Sequence, residues 1–308
     1  MEKIHFRATN LGKFQLKINI FVKLMKKMKI LVTNDDGYDS LGIKTLVNIL
    51  KSYGEITVVG PKYHQSGMSM AVNLGYKPMA VKKLSEEPGE RWYYMDATPS
   101  SCVKYGIDNI FYPDRPDIVF SGINHGLNAA MCSPYSGTIG AAKEAALGRI
   151  PSIAVSLDTF RKDADFSAVE ELLPSILEPL LDNMETRFGM FYNINFPDLP
   201  AEEIKGVRVC HLGRMHWERE FMPFDPGFYE KTGVRPLEDL GVTWLPKPEP
   251  GEDVFAMVGD MINDHDTPAD SDQLLLKEGY ITITPENLDD TDVAEKQRLR
   301  TLGFETDF

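Results

Sequence analysis

Short apolar runs recur along this chain, and each leads through a polar loop into a stretch with helical spacing. Lys29-Ile30-Leu31-Val32-Thr33 holds an apolar run, Ile30 to Val32, and ends at the polar loop Asn34-Asp35-Asp36-Gly37. Ile43, Leu46, Val47 and Leu50 follow at i, i+3, i+4, i+7, one apolar helical face. Glu55 to Val59 reads as a second strand, closed by Gly60-Pro61. The spacing predicts strands at Ser69 to Leu74, Trp92 to Ala97, Asp117 to Ser121, Ser152 to Leu157 and Tyr192 to Phe196. It predicts helices at Cys102 to Ile110, at Thr138 to Leu147, where Gly148 is the stop, and along Val169 to Leu181, with Pro174 and Pro179 expected to kink the last. A strand that is apolar at every position is buried on both faces, so helices must cover both sides of the sheet. Strands alternating with helices in this way imply right-handed crossovers and an α/β, doubly wound, mostly parallel sheet. From about Val207 the alternation fades, and 214–270 is rich in Pro, Gly and aromatic residues. Gly279 to Pro285 (GYITITP) then reads as one more β run. The expected division is 28–200 as the α/β core and 201–308 as an appended β-rich region. The aromatic cluster Trp217, Phe221, Phe224, Phe228, Tyr229 reads as the interior of that region rather than as a stacking site for a base.

Composition narrows the function classes. With 308 residues and 43% hydrophobic content, the chain can build a core without disulfide or metal staples. No apolar run approaches the about 18–20 residues that span a bilayer, so no membrane partner is expected. Three cysteines with no CxxC spacing argue against a disulfide framework and point to a reducing, cytoplasmic setting. Net charge is −13, yet residues 1–27 hold seven Lys/Arg against one Glu. That basic extension lacks a signal-peptide core and reads as an over-called start ahead of Met25 or Met28. The rest is strongly acidic: residues 251–308 alone hold 15 Asp/Glu against four Lys/Arg. Such a body repels a phosphate backbone, so no nucleic-acid polymer is expected as partner. An anionic substrate would need a local device, such as a metal ion or a helix N-terminus.

Ligands of an open α/β sheet bind off the carboxyl ends of its strands. Three loops should meet there: Asn34 to Gly37, Gly60 to Gly67, and Gly122 to Asn128 leading on to Tyr135-Ser136-Gly137-Thr138. Adjacent carboxylates raise each other's pKa, and a divalent cation removes that conflict. Asp35 and Asp36 with oxygens from Ser66 and Asn124 would make an all-oxygen set suited to Mg²⁺ or Mn²⁺. NDDG is also an ordinary turn sequence, and taken alone that plainer reading is favoured. Ser136-Gly137-Thr138 before an Ala-rich helix offers free backbone N–H groups for a phosphate, although Ser and Thr also cap helices with no ligand present. The chain has no GxGxxG fingerprint, P-loop, GxSxG elbow or HExxH pair. Of six histidines, His64 and His125 lie in the candidate loops, where a histidine is more often solvated than catalytic.

These blocks together carry a resemblance. KILVTNDDGYDSLG from Lys29, Gln65-Ser66-Gly67, Thr98-Pro99 with Cys102-Val103, SGINHGLN from Ser121, YSGTIGAA from Tyr135 and GYITITP from Gly279 occur in the order typical of the survival protein SurE family, which they resemble. The family consists of metal-dependent nucleotidases that hydrolyse nucleoside monophosphates. The resemblance implies a Rossmann-like α/β core whose C-terminal segment exchanges between subunits of a homodimer or homotetramer. It implies one divalent metal ion per subunit, Mg²⁺ or Mn²⁺, held by Asp35, Asp36, Ser66 and Asn124. It implies catalytic roles for Asp35 and Asp36, and phosphate binding by Asn128, Ser136, Gly137 and Thr138. His125 is a weaker candidate for protonating the leaving group. The implied reaction is release of phosphate from 5′- and also 3′-nucleoside monophosphates. A broader phosphatase or exopolyphosphatase and a non-catalytic nucleotide or metal sensor are the alternatives.

Two departures bear on substrate choice. The family usually has Asp within TPADCV, where this chain has Ser101. Between Asn128 and Tyr135 the family is Gly- and Asp-rich, where this chain has Ala129-Ala130-Met131-Cys132-Ser133-Pro134.

Overall fold

A computed structural model describes residues 27–159, 161, 163–233, 236 and 247–305. The basic extension, residues 1–26, lies outside them. Thirteen strands appear among the described residues: β1 (Met28–Thr33), β2 (Gly54–Pro61), β3 (Val81–Glu87), β4 (Glu90–Met95), β5 (Ile118–His125), β6 (Ser152–Asp158), β7 (Met190–Pro197), β8 (Val207–Val209), β9 (Met215–Glu218), β10 (Phe221–Pro223), β11 (Phe255–Met257), β12 (Asp260–Asn263) and β13 (Ile281–Asn287). The helices that matter here are α1 (Leu41–Leu50), α2 (Pro99–Tyr105), α3 (Gly137–Leu147), α4 (Ser167–Asn183), α5 (Asp272–Lys277) and α6 (Val293–Thr301).

Nine strands form one sheet in the order β3-β4-β2-β1-β5-β6-β7-β13-β8. The strands from β4 through β7 run parallel, while β3 and β13 pair antiparallel to β4 and β7. Burial on both faces is visible residue by residue. Along β1, Ile30 and Val32 face one apolar cluster and Leu31 faces the other. Ile118 and Phe120 of β5 divide from Val119 in the same way. The first cluster packs against α1 through Ile43, Leu46, Val47 and Leu50, and against α4 through Val169, Leu173, Ile176 and Leu177. The second packs against α2 and α3 through Cys102, Val103, Ala141 and Ala145. This is the doubly wound α/β arrangement expected from the unbroken apolar runs. None of the described helices is long and apolar enough to cross a membrane.

The structure departs from expectation at three places. Ser69 to Leu74 is not a strand but an irregular loop. Two of its backbone groups are met by side chains and two by loop backbone: the Asn73 N–H donates to Ser101 Oγ at 2.9 Å, Thr98 Oγ1 donates to the Ala71 carbonyl at 2.7 Å, and the Ser69 and Ala71 N–H groups donate to the Tyr135 and Met68 carbonyls. The antiparallel edge strand β3 was not expected, because its exposed Lys82, Lys83, Glu86 and Glu87 carry no apolar run. The GYITITP run does form a strand, β13, but one that sits within the main sheet, bonded to β7 on one side and β8 on the other. Farther along, β9 pairs with β12 and β10 with β11 in two short ribbons. Phe224, Phe228 and Tyr229 pack on one another at 5.0–5.7 Å between ring centroids, whereas Phe221 stays 68% exposed.

Close backbone approaches fix the spacing of the layers. A Cβ on Gly42 of α1 would stand 2.1 Å from the Ile123 carbonyl oxygen of β5. Gly42→Ala should therefore cost about 1–3 kcal/mol or more, since overpacking a rigid backbone contact forces the layers apart. Gly75→Ala, which meets open space, should stay within about 0.5 kcal/mol of the parent. Urea unfolding of both variants checks the pair.

Candidate active site

The carboxyl end of β1 runs directly into the Asn34–Gly37 turn. Asn34 Nδ2 donates to the Gly37 carbonyl and to Ser40 Oγ, both at 2.9 Å. Ser40 in turn caps α1, accepting from the Ile43 N–H at 3.5 Å. The motif is thus a turn, as its composition suggests, and this turn holds two carboxylates at the sheet edge.

Asp35 is only 2% exposed. Thr138 Oγ1 donates to its Oδ1 at 2.7 Å and approaches Asn124 Oδ1 at 3.4 Å. Burial pushes the Asp35 carboxyl above its ordinary range; the Thr138 hydroxyl, the nearby His64 and the Thr138 backbone N–H pull in the opposite direction. The carboxylate therefore lies at the N-terminus of α3, where first-turn N–H groups and the helix dipole favour negative charge. Approach is close here: a Cβ on Gly137 would come within 2.9 Å of Asp35 Cβ.

Asp36 points toward the third loop. The His125 N–H donates to its Oδ2 at 3.0 Å, and His64 Nδ1 stands 3.5 Å from its Oδ1. The β5–β6 register shifts between Ser121 and Asn124, an irregularity that re-aims the end of the strand. Asn124, 7% exposed, donates from Nδ2 to the Gly126 carbonyl at 2.7 Å. The second loop is tied in by the Gln65 N–H, which donates to the Asp35 carbonyl at 2.7 Å.

Of the residues singled out from sequence, Asp35, Asn124 and Thr138 meet directly, and Asp36 joins them through the backbone next to Asn124. Ser136 caps α3, its Oγ accepting from the Ile139 N–H at 3.2 Å, so the capping reading of this motif describes a real contact. Ser66 lies exposed on its loop, next to Gln65. Asn128 is held on the β6–β7 side, its Nδ2 donating to Ser156 Oγ at 2.9 Å. The His125 ring turns away from the carboxylates: its Nε2 pairs with the Arg161 carbonyl, and its edge meets Phe166 at 6.0 Å. His64 is the neighbour that sequence reasoning undervalued; its signal was its place two residues before Ser66 in a candidate loop. Ser101, one of the two departures, accepts from the Asn73 N–H and pairs with Thr98 Oγ1 at 2.9 Å, so a neutral hydroxyl holds the 71–73 loop there.

Taken together, this edge gathers two carboxylates, amide and hydroxyl oxygens, and one long helix N-terminus within a few ångströms. Hard oxygen donors beside an anion-favouring helix end suit a divalent cation together with a phosphoryl group.

The family model described as survival protein SurE matches residues 30–219. Among relatives, "5'-nucleotidase SurE" of Christiangramia forsetii is 34% identical over 265 residues, spanning 86% of this chain and 92% of that protein. The "5'-nucleotidase SurE" of Cytophaga hutchinsonii is 35% identical over 262 residues, spanning 85% and 91%. Among solved structures, the SurE protein from Aquifex aeolicus superposes with a TM-score of 0.68 at 28% identity, covering 89% of this chain and 98% of that one.

Among the described residues, Asp35 is buried against Thr138 and His64 with no lysine or arginine beside it, so its carboxylate is held at a cost in stability. Asp35→Asn, measured without added metal, should therefore leave the melting temperature unchanged or raise it. A fall of more than about 4 °C, the shift expected for roughly 2–3 kcal/mol in a chain this size, would show that the carboxylate serves the fold.

Proposed function

Because the chain belongs to the survival protein SurE family, we propose that it is a metal-dependent phosphomonoesterase that hydrolyses nucleoside monophosphates to nucleoside and phosphate. Relatives named 5'-nucleotidase, matched over most of both chains, support the reaction class. The observation that carries the reading for this chain is the Thr138 Oγ1 to Asp35 hydrogen bond, which joins the carboxylate pair to the N-terminus of α3.

The residues present fit a divalent cation. Asn34 Oδ1, Thr33 Oγ1 and Ser121 Oγ are buried without hydrogen-bond partners at the same edge of β1 and β5. Asp35, Asp36, Ser66 and Asn124 would hold the ion, an all-oxygen set that suits Mg²⁺ or Mn²⁺ over a soft metal. When bound, such an ion supplies Lewis-acid stabilisation of the phosphoryl group and acidifies water. The chain's own groups do the rest. The N–H groups of Gly137 and Thr138 and the Ser136 hydroxyl, at the positive end of α3, bind phosphoryl oxygens as charge develops on them. Asn128 adds an amide contact to the same group. Asp35 and Asp36 accept a proton from the attacking water or orient it. His64, beside Asp36, holds that carboxylate's orientation.

The same reading extends to assembly. We take the 28–200 segment as the catalytic core and 201–308 as the part that builds a homodimer or homotetramer and shapes the entrance. Phe221, Phe255 and Met257, at 68%, 53% and 70% exposed on the β10–β11 ribbon, are apolar surface of the kind subunit contacts cover. Three unpaired cysteines, two of them buried, favour a cytoplasmic setting.

Phosphate release from a panel of 5′- and 3′-nucleoside monophosphates and short polyphosphates, with Mg²⁺, with Mn²⁺ and with EDTA, tests the proposal. Release should need the metal, and kcat should fall by about 10³-fold or more in Asp35→Asn. Polyphosphate outranking every nucleotide would assign the broader phosphatase. No release with either metal from a folded oligomer would leave a sensor.

A further inference from the structure

The segment between Asn128 and the α3 cap is where this chain leaves the Gly- and Asp-rich pattern it otherwise follows, and it is anchored from below by groups far away in sequence. The Asn195 side chain accepts from the Asn128 N–H at 2.9 Å, and Asn193 Nδ2 donates to the Asn128 carbonyl at 2.7 Å. Asn195 Nδ2 donates to Asn193 Oδ1 at 3.0 Å, which locks the two amides together. Two carboxylates from the C-terminal third complete the hold. Asp272, the first residue of α5 and 0% exposed, accepts from the Ala130 N–H at 3.1 Å and from the Gly213 and Gln273 N–H groups at 2.9 Å. Glu286 of β13 accepts from Ser133 Oγ at 2.7 Å and from Asn193 Nδ2 at 2.8 Å. The Ser133 carbonyl then accepts the Ser136 N–H at 3.2 Å, so the chain passes from this anchor straight into the cap of α3.

Burying two carboxylates costs stability unless each is well hydrogen-bonded. Apolar side chains would have filled the same space, yet here each acid accepts one bond from the 128–133 segment, Asp272 from the Ala130 N–H and Glu286 from the Ser133 hydroxyl. A buried carboxyl whose hydrogen bonds are all made fixes the groups that donate to it, here the Ala130 N–H and the Ser133 hydroxyl. We propose that Glu286, with Asp272 beside it, is a positioning residue for the phosphate-binding end of α3, acting through Ser133 and through the Asn193–Asn128 pair. The third of the chain that supplies β13 and α5 thereby sets how firmly the nucleoside monophosphate's phosphoryl group is held. This rests on the α3 N-terminus binding phosphate, as argued above.

Binding of inorganic phosphate to the full chain in Mg²⁺ buffer, followed by calorimetry, reads the cradle independently of turnover. Glu286→Ala removes the acceptor of Ser133 Oγ and one of the two acceptors of Asn193 Nδ2, which keeps only the Asn128 carbonyl. It should weaken phosphate binding by about tenfold, with KM rising in parallel and kcat changing less than about threefold. Glu286→Gln keeps an acceptor for Asn193 and a donor for the Ser133 oxygen, and should restore binding to within about threefold of the parent. Ser133→Ala should weaken binding in the same direction, and adding it to Glu286→Ala should cost little more, because coupled residues are not additive. Phosphate affinity and KM within about twofold of the parent in Glu286→Ala or Ser133→Ala, with only the melting temperature lowered, would overturn the proposal. So would failure of the parent chain to bind phosphate. Absence of turnover in a chain that binds phosphate normally would count against the enzymatic reading and leave the positioning role standing on its own measurement. Should Glu286→Ala not fold, Ser133→Ala carries the same decision.

Discussion

Everything at the carboxyl edge of this sheet follows from the burial of one carboxylate against the start of one helix. Asp35 is removed from water, and what offsets its desolvation is a hydroxyl, a histidine and the N-terminal turn of α3. That arrangement demands that α3 approach β1 closely. The helix does so because its residues are small: Gly137, Gly140, Ala141, Ala142, Ala145 and Ala146 are all buried. A Cβ on Gly140 would stand 1.9 Å from the Ser69 carbonyl oxygen, so the loop after β2 lies directly on the helix. A helix with buried residues all around has no single apolar stripe, and this one sits between sheet, loop and α2 rather than on a surface. The ion pair from Lys104 to the nearly buried Glu144, at 2.7 Å, ties α2 to it.

The sheet makes that placement rigid. Its central strands are covered on both faces, so the ends of β1, β2 and β5 cannot shift independently. The three loops that leave those ends are then joined crosswise: Gln65 to Asp35, His125 to Asp36, Thr138 to Asp35. Few of these bonds are with the groups expected to do chemistry alone; several use backbone N–H donors, which sequence patterns do not reveal. The C-terminal part of the chain then comes back beneath the site. With β13 paired to β7 and Asp272 and Glu286 under the 128–133 segment, the binding edge draws on residues more than 140 positions apart.

Reading the chain in one dimension succeeded where a single local cause decided the outcome. Unbroken apolar runs became two-sided buried strands, and Gly148 did close the Ala-rich helix. It failed where the deciding groups were distant. Met70, Val72 and Leu74 alternate as a strand would, but Thr98 and Ser101 meet part of that backbone and the segment stays a loop. The edge strand β3 is charged and exposed, so nothing apolar announced it. At the site, the loop positions of Asp35, Asn124 and Thr138 were legible from strand ends and turn residues. The roles of Asn193, Asn195, Asp272 and Glu286 were not, because a buried amide or carboxylate looks in sequence like any exposed one.

The amino-acid order by itself determined the central strands β1, β2, β5, β6 and β7, the helices α1, α3 and α4 that cover them, and which loops leave the carboxyl edge, since these depend on residues a few positions apart. Tertiary structure alone decided which carboxylate is buried, which histidine stands beside it, and what anchors the segment leading to α3. Those outcomes depend on desolvation and on hydrogen bonds between groups that only the packed sheet brings within reach.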